Sequence, residues 1–353
     1  METVDIIIRK TKHSRITEVD FMELGFGTHV SDHMFLCDYF DGEWQLPQIV
    51  PFANLSLSPA TLALHYGQTV FEGMKAFLME DNRVNIFRMY KHHERINRSL
   101  ERMCMPGIPE SIFVESLQQL VSLDKNWVPG LPGSSLYLRP FVYASEARFG
   151  VKVSEQYRFV VFTGPVAPIY PRPLKVKVET HYIRAARGGT GAAKCGGNYG
   201  GAMYPTELAR QEGYDQVLWT DALEHQYIEE SGTMNVMFVI DGALVSPPPS
   251  DSVLDGITRD CLITLARDLG YEAIERPVSI RELEAAFSNN TITEAFGAGT
   301  AAVVAPIETI GINGTDYHLP KHNQQSLSHA IKHKLEAIRS GRHADTYGWN
   351  FVI

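Results

Sequence analysis

The sequence is poor in the features that mark disulfide-rich, membrane-spanning and nucleic-acid-binding proteins. Its four cysteines, Cys37, Cys104, Cys195 and Cys261, are far apart, and no pair has metal-ligand or redox spacing. No run approaches the roughly 20 apolar residues that span a bilayer. The net charge of −9 disfavours a phosphate backbone as a partner. We therefore expect reduced thiols in a cytoplasmic protein that binds no nucleic acid, membrane or metal.

The length of the chain favours two domains. A chain of 353 residues rarely folds around a single hydrophobic core. Its 44% of hydrophobic residues is ordinary for a globular protein. Residues 164–173 contain four prolines, which we expect to be excluded from sheets and helices. The predicted division is a smaller N-terminal α/β domain (1–166), a linker (167–174) and a larger C-terminal cofactor-binding domain (175–353).

Hydrophobic periodicity predicts strands and helices in both halves. Asp241-Gly242 and Asn313-Gly314 each predict a tight hairpin. Strands are predicted at residues 84–88, 135–139, 157–163, 174–179, 216–220, 234–240, 243–246, 291–294 and 302–307, and helices around Ile96 and Leu100 and at 111–123, 202–211, 258–269, 280–287 and 323–339. This mixture predicts an α/β fold of the α+β kind, with mixed sheets.

Lys194 is the first candidate for chemistry. It lies in a glycine-rich stretch, residues 188–200, whose glycines let the backbone approach a flat ligand. A lysine among small residues loses solvation, which frees its amine to attack an aldehyde cofactor and form a Schiff base. On the motif alone, a solvated lysine on a mobile loop is the favoured interpretation, because short motifs have many false positives.

Two further side chains suit such a cofactor. Glu230 precedes a strand that the sequence predicts to be buried, and a carboxylate there would keep a pyridine nitrogen protonated. Tyr199 follows Lys194 by five residues, where its hydroxyl would reach the oxygen on the cofactor ring. An exposed charge at a strand start and a packed tyrosine are the alternatives.

The sequence also offers parts for binding a phosphate. The helix predicted from Thr258 follows Asp255-Gly256, and helix N-termini bind anions through their N–H groups. Arg88 ends a strand, from which its guanidinium would clamp the same group. Residues 297–301 form a second turn of small residues. Each is also compatible with a plain turn or a surface residue.

Together these residues resemble the class IV pyridoxal-phosphate aminotransferases, and more narrowly the branched-chain amino acid aminotransferases. The resemblance rests on residues 194–199 (KCGGNY), 230–235 (ESGTMN) and 299–301 (GTA). In the first half, residues 26–34, 65–77 and 135–140 resemble the same family. The motifs occur in one consistent order from about residue 20 onwards.

The resemblance implies the two-domain class IV fold (D-amino acid aminotransferase-like) and pyridoxal 5'-phosphate as cofactor. Lys194 would be the catalytic Schiff-base lysine. The implied cofactor contacts are Lys194, Arg88, Tyr199, Glu230, Ile257, Thr258 and Thr300. The implied substrate contacts are Phe26, Tyr66, Phe71, Tyr137, Arg139, Val151, Thr233, Thr300 and Ala301. Arg139 matches the family's residue for the distal carboxylate of glutamate.

The activity implied is transfer of the amino group of L-leucine, L-isoleucine or L-valine to 2-oxoglutarate, by a homodimer. Ala302 and Ala305 stand where the vertebrate-type members have a Cys-x-x-Cys pair, so that redox switch is expected to be absent. Met237 replaces an aromatic residue preferred in the family signature.

Three alternatives stay open. The same fold and cofactor serve D-amino acid and amine transaminases and aminodeoxychorismate lyases. A metal-dependent protein is suggested by His29 and His33, which would share one face if they lay on a helix. A non-catalytic vitamin-binding protein of the same fold is the third.

Overall fold

The elements follow the chain in a mixed order of strands and helices. The computed structural model describes residues 4–170 and 172–353. The first half contains β1 (Ile7–Ile8), β2 (His33–Phe40), β3 (Glu43–Trp44), β4 (Gln48–Pro51), α1 (Leu62–Tyr66), β5 (Thr69–Phe71), β6 (Met74–Leu78), β7 (Val84–Phe87), α2 (Met89–Arg102), α3 (Glu110–Leu123), β8 (Ser135–Ala144) and β9 (Tyr157–Val166). Residues 1–3 of the predicted N-terminal domain and Pro171 of the predicted linker lie outside the described residues.

The second half continues with more strands than helices. It contains β10 (Leu174–Glu179), α4 (Gly196–Gln211), β11 (Gln216–Thr220), β12 (Tyr227–Ser231), β13 (Met234–Ile240), β14 (Ala243–Ser246), α5 (Ile257–Asp268), β15 (Ala273–Glu275), β16 (Val278–Ser279), α6 (Ile280–Ser288), β17 (Ile292–Gly299), β18 (Val303–Ile312), β19 (Thr315–His318), α7 (Leu327–Arg339) and β20 (Asn350–Val352). Short 3-10 turns occur at Ile16–Glu18 and Lys125–Trp127.

One compact unit comprises residues 4–169, Ala193–Gly197 and Ala337–Ile353. Its sheet has the strand order β1-β4-β2-β9-β8-β6-β7-β20, in which neighbours are antiparallel except β1 and β4. Helix α2 buries Met89, Ile96 and Leu100, whose spacing puts them on one face. Burying such apolar faces stabilises this unit by roughly 25 cal/mol per Å² of apolar surface.

The other compact unit comprises residues 170, 172–192 and 198–336. Its strands pair in the order β15-β14-β13-β17-β18-β10-β11-β12-β16, and β12 also pairs with β13. That extra pairing closes a ring of strands through β12, β13, β17, β18, β10 and β11. Every residue of β13 is buried, which explains its unbroken run of mostly apolar side chains.

Both predicted hairpins are confirmed. Asp241 and Gly242 have φ of 51° and 79°, and Asn313 and Gly314 have 50° and 80°. Positive φ at both central residues is the condition for the turn that matches strand twist. The predicted α/β class with mixed sheets is confirmed as well, because both units contain helices and a sheet with parallel and antiparallel strand pairs.

Three local predictions are wrong. Strand β9 continues through Pro165, which is paired with Leu136, although prolines were expected to be excluded there. On its other side, β9 pairs with β2 only as far as Phe162. Pro165 therefore has no β2 residue opposite it that would need a hydrogen bond from its backbone nitrogen. Helix α4 begins at Gly196, inside the glycine-rich stretch, rather than at residue 202. His33 starts β2 and therefore shares no helix face with His29.

The domain boundaries stay a prediction, although the compact units divide the chain differently. Strand β20 pairs with β7, and Ala193–Gly197 belongs to the first unit. Strand β20 and Ala193–Gly197 are both distant in sequence from most of the first unit. A boundary predicted from a cluster of prolines therefore could not assign them to it. Within the described residues, no helix combines the length and apolarity needed to cross a membrane.

Candidate active site

Lys194 is anchored by its backbone in the first unit. Its N–H donates to Ser99 Oγ (3.0 Å), and its C=O accepts from Phe71 N–H (3.0 Å). The flanking Ala193 and Cys195 are 2% and 1% exposed and belong to the hydrophobic core of this unit. The lysine therefore stands between helix α2 and strand β5 with both backbone polar groups bonded.

The Lys194 side chain lies among aromatic and basic groups. Its Nζ is 4.9 Å from the centroid of the Phe71 ring. The Arg139 guanidinium is 4.9 Å from the same centroid and donates to Tyr137 Oη (3.1 Å). The Tyr137 and Phe26 rings meet edge to face, 5.1 Å apart. Five of the residues named from the sequence thus form one cluster.

Arg139 is the charged member of this cluster. It is half-buried, and its Nε has no hydrogen-bond partner among the described residues. A buried guanidinium nitrogen without a partner loses free energy relative to water, and an anionic ligand would restore the bond. The cluster therefore combines an apolar wall with one donor for a carboxylate.

Glu72, the residue after Phe71, is the centre of a buried ion-pair network. Glu72 is 0% exposed and accepts from Arg95 Nε (2.7 Å) and Nη2 (2.9 Å), while His92 Nδ1 lies 2.7 Å from its Oε2. Burial by itself raises the pKa of Glu72, but the charges of Arg95 and His92 outweigh burial and hold it far below its usual range. Burial also lowers the pKa of His92, which favours its neutral form.

Three further predicted residues belong to this unit: Arg88, Tyr66 and Val151. Arg88 has a left-handed φ of 58° immediately before α2, a conformation rare for residues with a side chain. Its N–H donates to Trp349 C=O (2.7 Å). Tyr66 is 44% exposed, and its hydroxyl accepts from Gly150 N–H (3.0 Å). Val151 is 85% exposed. The left-handed backbone conformation of Arg88 is a form of strain that is typical of residues held in place for function.

The second unit contains the predicted carboxylate. Glu230, on β12, is 3% exposed. Its Oε1 accepts from Leu254 N–H (2.7 Å), and its Oε2 lies 3.2 Å from Arg184 Nε. Arg184 in turn donates to Gly191 C=O (3.1 Å). An amide and a guanidinium both favour negative charge on a carboxylate, which is the form that binds a protonated ring nitrogen.

The predicted anion-binding turns lie on neighbouring strands of this unit. Asn235 pairs across strands with Glu230 on one side and with Ala298 on the other, next to the turn that contains Thr300 and Ala301. Its Nδ2 donates to Leu254 C=O (2.9 Å). One asparagine therefore connects the carboxylate, the loop before α5 and the end of β17.

Helix α5 begins beside this asparagine. Ile257 and Thr258 are its first two residues, both buried. Gly256 precedes them, and a Cβ there would collide with the Asn235 side chain. The first N–H groups of a helix have no partner inside it and, with the helix dipole, attract anions. Thr258 adds a hydroxyl at the same end.

Two more of the predicted residues belong to the second unit. Tyr199 is half-buried on α4, and Thr233 is exposed in the turn between β12 and β13. Residues that the sequence did not single out are Ser99, Glu72, Arg95, Arg184 and Asn235. Glu72 could have been noticed because it is the one charged residue in the otherwise apolar or glycine run 70–74. No feature of the sequence around Ser99 indicated a role for it.

Comparisons with known proteins cover nearly the whole chain. The family model for amino-transferase class IV matches residues 69–310. The branched-chain-amino-acid aminotransferase 2 of Bacillus subtilis (strain 168) is 40% identical, over 100% of this chain and 97% of that protein. The structure of the Escherichia coli branched-chain amino acid aminotransferase is 27% identical with a TM-score of 0.70, over 89% of this chain and 98% of the other.

A third comparison concerns a structure with a bound ligand. The T.th. branched-chain amino acid aminotransferase complexed with N-(5'-phosphopyridoxyl)-L-glutamate is 25% identical, with a TM-score of 0.71, over 93% of this chain and 98% of that one. These likenesses confirm the fold class predicted from the sequence. The family model matches more than half of the residues of this chain, and the chain therefore belongs to the class IV aminotransferase family.

Proposed function

We propose that the protein is a branched-chain amino acid aminotransferase that uses pyridoxal 5'-phosphate to move the amino group of L-leucine, L-isoleucine or L-valine to 2-oxoglutarate. The observation that carries the proposal is the 40% identity, over the full chain, to a Bacillus subtilis protein of that name. The cluster of Lys194, Arg139 and aromatic rings supports it independently, because it offers both an amine and a mixed apolar and cationic pocket.

The residues fit this cofactor by their chemistry. Lys194 offers an amine for the aldehyde, and the buried Glu230 offers a negative charge for the pyridine nitrogen. Tyr199 would bond the ring oxygen. The phosphate would be held by four residues: Arg88, Ile257, Thr258 and Thr300. When bound, the cofactor supplies an electron sink for the charge that develops at the substrate Cα.

Lys194 has a second role in the proposal. Its Nζ would act as the base that takes the proton from the substrate Cα, and afterwards as the acid that returns a proton. Phe71 lies 4.9 Å from that amine and shields one side of it from water. A general base is most effective when its backbone does not move, and both backbone polar groups of Lys194 are bonded.

The pocket must accept an aliphatic side chain and a carboxylate in turn. The rings of Phe26, Phe71 and Tyr137 suit the first, and the Arg139 guanidinium suits the second. The remaining substrate contacts in the proposal are Tyr66, Val151, Thr233, Thr300 and Ala301. Discrimination between leucine, isoleucine and valine should be weak, since one methylene is worth about 1–3 kcal/mol in such pockets.

The proposal extends to the setting of the enzyme. We infer a cytoplasmic homodimer, from the reduced state expected of its cysteines and from the resemblance to its family. We also retain the boundaries 1–166, 167–174 and 175–353 as the proposed domains. Size-exclusion chromatography with light scattering measures the assembly directly, and a monomeric mass at micromolar concentration would contradict the dimer.

One assay tests the central proposal. The purified protein, incubated with pyridoxal phosphate, is given L-leucine, L-isoleucine, L-valine or D-alanine with 2-oxoglutarate, and glutamate formation is followed. We expect activity on the three L-amino acids and a visible absorbance band that Lys194→Ala removes. Activity on D-alanine with none on L-leucine would favour a D-amino acid transaminase, and a protein that takes up no cofactor would refute the proposal.

A further inference from the structure

The contact between Lys194 and Ser99 has a defined direction. Ser99 is 1% exposed, and its hydroxyl donates to the C=O of Arg95, four residues earlier in α2 (3.0 Å). A hydroxyl whose hydrogen is committed in this way presents a lone pair to other donors. Lys194 N–H, 3.0 Å away, is the donor that uses it. The serine is therefore oriented to accept this one bond.

The helix that presents Ser99 is cross-linked to the other anchor of Lys194. Arg95 and His92 lie on the same face of α2 as Ser99, at spacings of four and seven residues. Both contact the buried carboxylate of Glu72. Glu72 follows Phe71, whose N–H donates to Lys194 C=O. One ion-pair network thus fixes both groups that bond the lysine backbone.

We propose that Ser99 is a positioning residue for Lys194, and that the Glu72–Arg95–His92 network keeps Ser99 and Phe71 in register around it. This inference rests on the proposed function, in which the Lys194 amine both binds the cofactor and moves a proton. Ser99 acts only through the backbone N–H of Lys194. Its contribution is to fix the Cα from which the amine extends.

Loss of the Ser99 hydroxyl should affect the chemical step more than substrate binding. Without it, the Lys194 N–H loses its partner in a largely buried place, and the segment shifts to find another. A displacement of about 1 Å at a catalytic group costs up to about 100-fold in rate. We therefore expect Ser99→Ala to lower kcat by about 10-fold to 100-fold and to change the KM for L-leucine by less than about threefold.

Ser116 provides a matched control. It is 0% exposed on α3 in the same unit, and its hydroxyl donates to Phe113 C=O of its own helix (2.8 Å). Ser116→Ala removes a buried hydroxyl and an intrahelical bond, as Ser99→Ala does, but leaves Lys194 untouched. Any loss common to both variants reflects packing, and the excess in Ser99→Ala reflects the bond to Lys194.

The experiment compares wild type, Ser99→Ala and Ser116→Ala by three measurements. Hydrogen–deuterium exchange of the Lys194 amide in cofactor-free protein should quicken about tenfold or more in Ser99→Ala alone. Visible circular dichroism of the bound cofactor, which reports a fixed orientation, should weaken in the same variant. Steady-state kinetics should show the kcat loss. Equal behaviour of the two variants in all three would overturn the inference.

Failure of the proposed function would look different. In that case the wild-type protein itself would form no visible band with pyridoxal phosphate and transfer no amino group, and the positioning role would fall with it. Failure of the inference alone leaves an active, coloured wild type and a Ser99→Ala variant that matches Ser116→Ala.

Discussion

Replacing Glu72 by glutamine tests whether the buried ion-pair network stabilises the first unit. Glutamine has the same shape but no charge, so the Arg95 guanidinium keeps its charge while one of the two Glu72 oxygens that accept from it becomes an amide NH2 group. Breaking a buried pair from one side costs about 3–5 kcal/mol. In a unit of about 190 residues each kcal/mol lowers the Tm by about 2–4 °C, which gives a loss of about 6–20 °C.

The assay is a thermal melt followed by circular dichroism at about pH 8, where His92 is neutral. The pKa of Glu72 is depressed in the folded protein, so its stabilising effect is present above the unfolded pKa of about 4.3 and is lost only as the pH falls below that value. Glu94→Gln is the control, because its pair with Lys91 on the same helix is exposed. We expect a shift below about 2 °C there.

A second variant separates the charge effect from packing. Glu72→Met combined with Arg95→Met removes both charges, and replacing a buried pair by apolar groups is often neutral. The double variant should therefore melt at a higher temperature than Glu72→Gln. A Glu72→Gln variant with a Tm within about 2 °C of wild type, or a double variant that is less stable still, would refute the reasoning.

Three further predictions concern individual side chains. Arg139→Met should raise the KM for 2-oxoglutarate about 10-fold or more and that for L-leucine less than about threefold in steady-state kinetics, because only one substrate has a distal carboxylate; equal rises would contradict this. Thr258→Val should weaken uptake of pyridoxal phosphate about 5-fold to 10-fold in absorbance titrations, and unchanged affinity would exclude a phosphate contact. Iodoacetamide at about pH 8 should modify the exposed Cys104 first by peptide mapping, since burial raises the pKa of Cys37 to about 12, and earlier modification of Cys37 would contradict this.

Local sequence rules predicted the elements whose causes are local. The hairpin at Asp241-Gly242 depends on two residues that tolerate positive φ, and both are adjacent in sequence. Helix α3 depends on apolar residues spaced three and four apart. Proline was less informative, because its effect depends on which neighbours a strand has at that point, as Pro165 demonstrates.

The supporting contacts of the site depend on distant residues and were therefore invisible to such rules. Ser99 and Lys194 are 95 residues apart in sequence. Glu72 meets Arg95 only because α2 packs beside the turn after β5. The resemblance to a family supplied residues expected to touch ligands, such as Arg139, but not those that hold them in place.

The glycine-rich stretch around Lys194 illustrates how one pattern serves two physical purposes. From the sequence, its small residues were interpreted as room for a flat ligand. In the structure, a Cβ on Gly196 would lie 2.5 Å from Thr69 Oγ1, and Ala193 and Cys195 are core residues. Small side chains are therefore also needed for the segment to pack closely against β5. Close packing is what brings the Lys194 backbone within reach of Ser99 and Phe71, so the same residues that leave space for a ligand also fix the amine that would bind it.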